Sequence, residues 1–556
     1  MPFVRRLYFP LFLLLIFFYA FRPLGGGDDF WAHAAIGRIV LDTGHIPKRT
    51  VYLWSADVPW VFHDYGSGVL YASLLRLGGP WACLWLNFAL AATPFVLLWR
   101  RAKSRAGEMP SALIVLFVAA VYFSQIRWHL RPEAFTASFL TITLLFLTSE
   151  NRPKWSYFAI AGMFVLWINL HGGVLLGVLT LWGAAVCELF QPTRKVQPNV
   201  TEASAVETNA EANAIEANAV ETSAVEGNAP KLNEPLINAV EANAPLAEPL
   251  LVGPVAARGA RPPLFALAGA CSLLPLLCNP WGLSYVRVFA GTEATAKHIS
   301  EWRPFWVFPV MNREAAWGLC LLLGVALLVW ALDARRRLTT LGALVLLGAL
   351  WIQARRQLWL TSLTCAFALA QSAPVLRGDA LYARLKRQPG ARLDGPMRLI
   401  GGIGTLLVLV GACFQAAPKE RLSAVSSDAP FAMSRFLLTK APKGRLFNDY
   451  EYSAALEWYL NGKRPLYIDL INAYPPELFD EWFEVAHATP KGLKVLDSKR
   501  IDVVALRPVV VTNKDEPILN LFLYLGKSKD WKLIYQGRDG RVWARKKPIE
   551  KVNGVD

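Results

Sequence analysis

Apolar runs long enough to cross a lipid bilayer recur along almost the whole chain of 556 residues. A helix needs roughly 20 predominantly apolar residues to span a membrane, or fewer if it is tilted or broken. Such runs cover residues 7–22, 80–99, 110–126, 134–148, 156–170, 173–190, 263–279, 315–333, 338–354, 357–375 and 397–416. Only 18% of the residues are charged, whereas soluble domains have about a quarter. The sequence therefore predicts a polytopic α-helical membrane protein with about eleven spans.

The basic residues predict how these spans are oriented. The formal net charge is +16, but the basic residues lie mostly in short loops between apolar runs, which is typical of membrane topology and not of nucleic-acid binding. With a cytoplasmic N-terminus, the basic clusters at 100–105, 335–337 and 384–387 all fall on the cytoplasmic side. An odd number of spans then places the C-terminal part outside the cytoplasm.

Changes in composition divide the chain into four parts. Residues 1–191 are predicted to form a first transmembrane module with a long external loop at 23–79, and residues 263–416 a second module. Residues 192–262 between them contain five-residue repeats of the Glu-Ala-Asn-Ala-Val type and few aromatic residues. Such a segment buries too little apolar surface to offset its ordering entropy, so it is predicted to be a disordered cytoplasmic insertion.

Residues 417–556 change to a mixed pattern and are predicted to form an extracytoplasmic α/β domain. Runs at 465–470 and 503–506 resemble strands, and the pair at 531–536 and 541–545 resembles a hairpin. Exposed aromatic residues of this domain could bind an acceptor glycan, or they could belong to its core. The residues concerned are Tyr450, Tyr452 and Trp458.

The external loop at 23–79 is longer than a connector requires, and it is predicted to hold two helices at the membrane surface. The first would begin at Asp28 or Asp29, and the second would run over 64–77. Asp29, His33 and Gly37 recur at every fourth residue, so they share one helix face, and Gly37 would leave that face open to a ligand. A carboxylate beside an imidazole could remove a proton from an acceptor hydroxyl. Capping of the helix by Asp28 or Asp29 is the competing interpretation.

Other polar residues stand at predicted external ends of the spans or in the external loop. Ionisable groups at such a depth are costly to bury and are usually retained for an ion, a headgroup or a substrate. The candidate residues for acceptor or donor binding are His63, Asp64, Arg131, Glu133, Asn169, His171, Glu301, Arg355 and Arg356. Arg355 and Arg356 are the best candidates for holding a lipid phosphate, because guanidinium binds phosphate oxygens bidentately. Interfacial anchoring of these two side chains is the alternative.

Several short strings, taken in their order along the chain, resemble a bacterial branch of the type-C (GT-C) membrane glycosyltransferases. The strings are Asp-Phe-Trp-Ala-His at 29–33, Gly-His-Ile-Pro at 44–47, Pro-Trp-Val-Phe-His-Asp at 59–64, Asn-Leu-His-Gly-Gly at 169–173, Asn-Pro-Trp-Gly at 279–282, Phe-Asn-Asp-Tyr at 447–450 and Tyr-Ile-Asp at 467–469. The resemblance covers most of the chain except 192–262. That branch often has Trp where Ala32 stands and Glu where Asp64 stands, so the direct role of the shorter Asp64 side chain is in doubt.

The resemblance implies an inverting sugar transfer from a polyprenyl-phosphate donor to a glycan, lipid or protein acceptor on the outer side of the bacterial inner membrane. Asp29 would be the general base, with Asp28 as the second choice. His33, His63 and Asp64 would orient the acceptor. Asp29, His33 and Asp64 are also the candidates for holding a divalent cation, the one cofactor that the resemblance suggests.

Two other functions are compatible with a polytopic chain that has external His and Arg residues. A lipid-linked saccharide polymerase or ligase would concentrate its catalytic residues in a large loop late in the chain, whereas the richest loop here is the first. A transporter or flippase would place ionisable residues at mid-membrane and show paired internal repeats, whereas the polar residues here cluster at one face. Transfer from a lipid-phosphate sugar is therefore the favoured function.

Overall fold

The structure, a computed structural model, describes residues 2–190, 264–286, 304, 313–418, 423–472, 474–509 and 517–546. Eighteen helices in these ranges are labelled in chain order. They are α1 Pro2–Ala20, α2 Phe30–Thr43, α3 Tyr65–Ala106, α4 Ser111–Ser124, α5 Glu133–Leu147, α6 Lys154–Leu170, α7 Val174–Phe190, α8 Leu264–Leu277, α9 Arg313–Leu332, α10 Leu338–Gln353, α11 Leu358–Gln371, α12 Gly378–Lys386, α13 Gly395–Ala416, α14 Phe431–Thr439, α15 Ser453–Leu460, α16 Pro476–Ala486, α17 Pro490–Ser498 and α18 Leu519–Lys527. The insertion predicted at 192–262 and the candidate Glu301 lie outside the described residues.

Each apolar run of the sequence contains a helix, which makes the described chain mostly helical. Four helices, α1, α3, α9 and α13, are long and apolar enough to cross a membrane. Five more apolar helices have 10–17 residues, which is short for a spanning segment of about 20 residues. A multi-pass membrane protein follows from these helices, while the count of eleven spans stays a prediction.

Helix α11 lies at the centre of the helical part. All of its residues are buried, and it packs against α3, α4, α5, α9 and α10. An apolar helix at the edge of a membrane bundle would turn one face to lipid, whereas this helix is covered by other helices on every side. The tight turn Arg355–Gln357 precedes this helix, so the central packing holds two arginines at one end of the bundle.

The two helices predicted in the first loop are present. Helix α2 ends at Gly44, whose φ of 71° is left-handed and whose N–H bonds to the Val40 carbonyl, an arrangement that glycine adopts without steric cost. The second predicted helix forms the first part of α3, which breaks at Gly79, where φ is 64° and ψ is −163°. The Gly-Gly-Pro sequence at 78–80 explains the break, since Pro80 cannot continue a regular helix from the residue before it.

Helices α2 and α3 cross at two glycines, which contradicts the expectation that Gly37 leaves its face open. A Cβ atom on Gly37 would lie 1.9 Å from the Gly68 carbonyl oxygen, and one on Gly68 would lie 2.3 Å from the His33 carbonyl oxygen. Gly37 is buried. The lack of a side chain at Gly37 therefore allows close contact between two backbones and does not make room for a ligand. Helical periodicity alone cannot distinguish these two roles of a glycine.

The C-terminal part contains a four-stranded mixed sheet. Its strands are β1 Arg445–Asn448, β2 Ile501–Leu506, β3 Trp531–Gly537 and β4 Gly540–Arg545, in the order β1-β2-β4-β3. The predicted strand at 503–506 lies in β2, and the predicted hairpin is β3–β4. The predicted strand at 465–470 is wrong, because only Leu466 there forms a bridge, with Leu53 of the first loop.

The C-terminal part packs directly on the first loop. The Trp54 indole N–H donates to the Leu446 carbonyl at 2.9 Å, and the Leu24 N–H donates to the Ala424 carbonyl at 3.0 Å. Helix α15 lies along α2, where the rings of Trp31 and Tyr459 are 5.3 Å apart. The segments on both sides of α2 are therefore fixed by residues about 400 positions away in the sequence.

Candidate functional site

The first carboxylate of the acidic pair, Asp28, holds the turn that leads into α2. Its Oδ2 accepts a hydrogen bond of 2.6 Å from the Gly25 N–H, and its Oδ1 lies 3.2 Å from Nδ1 of His129. The Trp31 indole N–H donates to the Gly25 carbonyl at 2.8 Å. Asp28 is buried, and each oxygen of its carboxylate already has a partner. Its geometry therefore fits a structural role better than that of a general base.

The second carboxylate, Asp29, stands at the N-cap position of α2 but does not cap the helix. Its backbone is already helical (φ −56°, ψ −23°), and its side chain makes no capping hydrogen bond. Oδ2 instead lies 3.4 Å from Nη1 of Arg131, and about a third of the side chain is exposed (35%). The Asp29 carboxylate therefore does not cap α2, and it remains accessible to a substrate.

Asp64 is a buried carboxylate surrounded by histidines. Its Oδ2 lies 3.2 Å from Nε2 of His63, only 11% of its side chain is exposed, and Oδ1 has no hydrogen-bond partner. Burial favours the neutral acid, but the charges of His63, His171 and His33 outweigh it, so the pKa of Asp64 lies well below its usual range. Asp64 is at the N-cap of α3 and, like Asp29, makes no side-chain cap.

The structure fixes the tautomer of His171. Nδ1 lies 3.0 Å from the Gly173 N–H, which can only donate, and 2.8 Å from the Thr136 hydroxyl. The Thr136 oxygen itself accepts from the Trp167 indole N–H at 3.1 Å. Burial lowers the pKa of His171 to about 4, so the ring is neutral at pH 7 and carries its proton on Nε2.

The pKa values of His33 and His63 are shifted in opposite directions. Burial lowers the pKa of His33 more than the carboxylates of Asp64 and Asp29 raise it. Burial also acts to lower the pKa of His63, but the adjacent Asp64 carboxylate outweighs it and raises the net pKa. At neutral pH, His63 is thus the more basic of these two rings.

Loss of the Asp64 charge is expected to reverse the direction of the His63 shift. In Asp64→Asn, burial is no longer opposed by a carboxylate, so the pKa of His63 should fall from above about 6.5 to below it. NMR titration of ring-labelled histidines in the purified protein measures this midpoint. An unchanged His63 midpoint would mean that Asp64 does not hold this proton.

Arg131, which contacts Asp29, belongs to a group of arginines around Glu133. Glu133 accepts from Nε of Arg127 at 2.7 Å, and the charges of Arg131 and Arg356 are also close enough to act on its carboxylate. Within the described part of the chain, Nε of Arg131 and Nη1 of Arg355 are buried and have no hydrogen-bond partner. Arg127 and His129 were not predicted as site residues from the sequence, although both stand in the same short stretch as Arg131 and Glu133.

Asn169 has a structural role, and the candidate metal ligands do not form a metal site. The Asn169 side chain accepts from the Tyr65 hydroxyl at 2.8 Å and donates to the Val165 carbonyl at 2.8 Å, so it ties α3 to α6. Across the described ranges, no three His, Cys, Asp or Glu side chains converge to hold a metal ion. The carboxylates of Asp29 and Asp64 instead face Arg131 and His63. The divalent cation expected from the sequence therefore stays a prediction.

The C-terminal part reaches the turn before α2. A Cβ atom on Gly26 would lie 2.9 Å from the Tyr452 ring, which is buried and belongs to the core. Tyr450 is only half-buried. Burial raises the pKa of its phenol, and the nearby Asp29 carboxylate raises it further. Of the aromatic residues named from the sequence, Tyr450 is thus the one beside the candidate base.

Comparison with known proteins finds neither a matching family model nor a matching curated protein. Among solved structures, the chain is similar to the archaeal oligosaccharyltransferase AglB from Archaeoglobus fulgidus in complex with an inhibitory peptide and a dolichol-phosphate. The identity is 10%, the match covers 90% of this chain and 69% of that chain, and the TM-score is 0.49.

The chain is also similar to ArnT from Cupriavidus metallidurans bound to undecaprenyl phosphate, at 13% identity with a TM-score of 0.49, and to its apo state, at 13% identity with a TM-score of 0.46. Each of these two matches covers 97% of both chains. TM-scores below 0.5 assign no activity and no residue role to this chain.

Proposed function

We propose that this protein is a membrane glycosyltransferase that moves a sugar from a polyprenyl-phosphate donor to an acceptor on the extracytoplasmic side, with inversion at the anomeric carbon. The main support is the Asp29 carboxylate, which is accessible, does not cap its helix and lies 3.4 Å from the guanidinium group of Arg131. A base next to an anion-binding group is the arrangement that such a transfer needs.

The donor phosphate is proposed to bind at Arg131 and Arg355. Each of these side chains has a buried N–H group without a hydrogen-bond partner, and an unsatisfied buried donor is costly unless a ligand completes it. Phosphate oxygens accept from guanidinium in a paired geometry. Arg131 also touches Asp29, so one side chain would set the distance between the base and the phosphate.

The chemical step follows from these positions. The acceptor oxygen attacks the anomeric carbon as its proton passes to the Asp29 carboxylate. The bond between the anomeric carbon and the phosphate oxygen breaks, and its electron pair leaves with the prenyl phosphate, whose charge the arginines stabilise.

The test is prenyl-phosphate release by the purified full-length protein in nanodiscs containing a panel of polyprenyl-phosphate sugars. Arg355→Gln is expected to weaken donor binding by about 10- to 100-fold, the usual value of a hydrogen bond to a charged group. Arg49→Gln is the matched control, since Arg49 is exposed and pairs with Asp57 at the surface, where a single pair contributes little.

Two results would contradict the proposal. In the first, no donor of the panel is bound or cleaved by the wild type. In the second, the same protein in sealed proteoliposomes moves the intact lipid-linked sugar across the membrane without release of prenyl phosphate, which would identify a transporter. Equal donor affinity in Arg355→Gln and Arg49→Gln would reject the phosphate site alone.

A further inference from the structure

Two phenols of the C-terminal part share one amide oxygen. The backbone next to the first of them, Tyr450, lies against the turn before α2, where a Cβ atom on Gly27 would be 3.5 Å from the Glu451 carbonyl oxygen. The Tyr450 hydroxyl donates to Oδ1 of Asn472 at 3.1 Å, and the Tyr474 hydroxyl donates to the same atom at 2.6 Å. The Tyr450 ring packs edge-on against Phe479 at 5.0 Å. Tyr450, Asn472 and Tyr474 are called the tyrosine–asparagine cluster below. Their polar atoms are fixed by packing and by each other.

Asn472 is held in a conformation that few side chains adopt. Its φ is 61°, in the left-handed region where asparagine is several-fold enriched among residues other than glycine. Among the described residues, its amide NH₂ donates to no protein acceptor. The cluster therefore offers two N–H donors and the lone pairs of two phenol oxygens.

The chemistry of this cluster selects against anionic ligands. None of its members is basic, and the buried carboxylate of Asp469 is close enough to act on both Tyr450 and Tyr474. A phosphate or carboxylate would be repelled by this charge. A neutral hydroxyl group fits, because it donates one hydrogen bond and accepts others.

We propose that the tyrosine–asparagine cluster binds the acceptor, and that this acceptor is a neutral saccharide whose hydroxyl groups contact Tyr450 and Asn472. This inference rests on the proposed function, since the bound saccharide would present one hydroxyl to Asp29. The C-terminal part would then complete the site that the first loop and the arginines begin. Tyr450 would act as a specificity residue, and the proton transfer would remain with Asp29.

Direct binding tests the cluster without any need for turnover. The full-length protein in nanodiscs is titrated with neutral oligosaccharides of glucose, mannose and N-acetylglucosamine, and saturation-transfer NMR reports the bound ligand. At least one of these probes is expected to bind the wild type. Tyr450→Phe and Asn472→Gly should each weaken that binding by about tenfold, the usual value of one hydrogen bond.

Two features of the variants separate recognition from misfolding. Asn472→Gly keeps the left-handed backbone without strain, since glycine adopts it freely, so this variant carries the test if Tyr450→Phe does not fold. Tyr524→Phe is the matched control, because Tyr524 is a half-buried tyrosine of α18 outside the cluster. It should bind like the wild type.

Turnover provides a second measurement. The transfer assay uses a donor that the wild type cleaves and a saccharide that it binds. In this assay, Tyr450→Phe and Asn472→Gly should each have a KM for the acceptor that is about tenfold higher than that of the wild type, with unchanged donor binding. Equal acceptor affinity and KM in wild type and both variants would overturn the inference while leaving the transferase intact. Binding of none of the neutral saccharides would also overturn it, whereas absence of prenyl-phosphate release from every donor would instead reject the proposed function.

Discussion

Replacement of Asp29 by asparagine is expected to lower the rate of sugar transfer by about 10²- to 10⁴-fold, the usual contribution of a positioned general base. The amide has nearly the same shape as the carboxylate but cannot take the acceptor proton. Its effect should fall on kcat, because Arg131 and Arg355 still hold the donor phosphate. Initial rates of prenyl-phosphate release at saturating donor and acceptor measure it.

Thermal unfolding separates this effect from a loss of structure. The Asp29 side chain makes no capping hydrogen bond, and asparagine is itself a good N-cap residue, so Asp29→Asn should unfold at the wild-type temperature. Asp42→Asn is the matched control on the same helix, because Asp42 is exposed and pairs only with Arg76. If Asp29→Asn turned over as fast as Asp42→Asn, Asp29 would not be the base.

A single methyl group at Gly37 is expected to destabilise the protein and to abolish most of its activity. The Cβ atom of Gly37→Ala would lie 1.9 Å from the Gly68 carbonyl oxygen, so the backbones of α2 and α3 must separate. Overpacking of this kind costs about 1–3 kcal/mol or more. Displacement of α2 would also move Asp29 and His33, and misplacement by about 1 Å can reduce turnover about 10²-fold.

Gly162→Ala is the control for the Gly37 substitution. Gly162 also lies inside a helix, but a Cβ atom there would meet nothing within 4 Å, so alanine should leave stability unchanged or raise it slightly. Melting temperatures and transfer rates of both variants measure the contrast. Gly68→Ala should behave like Gly37→Ala, and the double variant should cost less than the sum, because both residues make one contact. A Gly37→Ala protein with wild-type stability would show that the helices do not cross so closely.

Features with a local cause could be predicted from the sequence. The end of α2 at Gly44 and the β3–β4 hairpin follow from glycine capping, turn chemistry and periodicity, which involve residues close together in the chain. The strand expected at 465–470 failed for the opposite reason. In the structure this run forms one bridge, to Leu53, and otherwise packs against its neighbours. Whether such a run joins a sheet depends on the neighbouring segments and not on its own residues.

The candidate site shows the same division. The sequence identified Asp29, His63, Asp64 and His171 as polar residues on one side of a membrane, but it left capping and catalysis open for the first. The ion pair of Asp29 with Arg131 joins residues about a hundred positions apart. Only the packing of α2 against neighbouring segments shows that this side chain is free from capping.

By itself, the sequence determined that the chain is a polytopic helical membrane protein with a two-helix first loop, because hydrophobicity and capping act over a few turns of chain. The tertiary structure decided which polar groups meet. It buries Asp64 among three histidines, closes the Gly37 face against Gly68 and brings Tyr450 beside Asp29. These contacts depend on how distant helices pack, and the free energies of burial and close approach that select them arise only when the segments are in place.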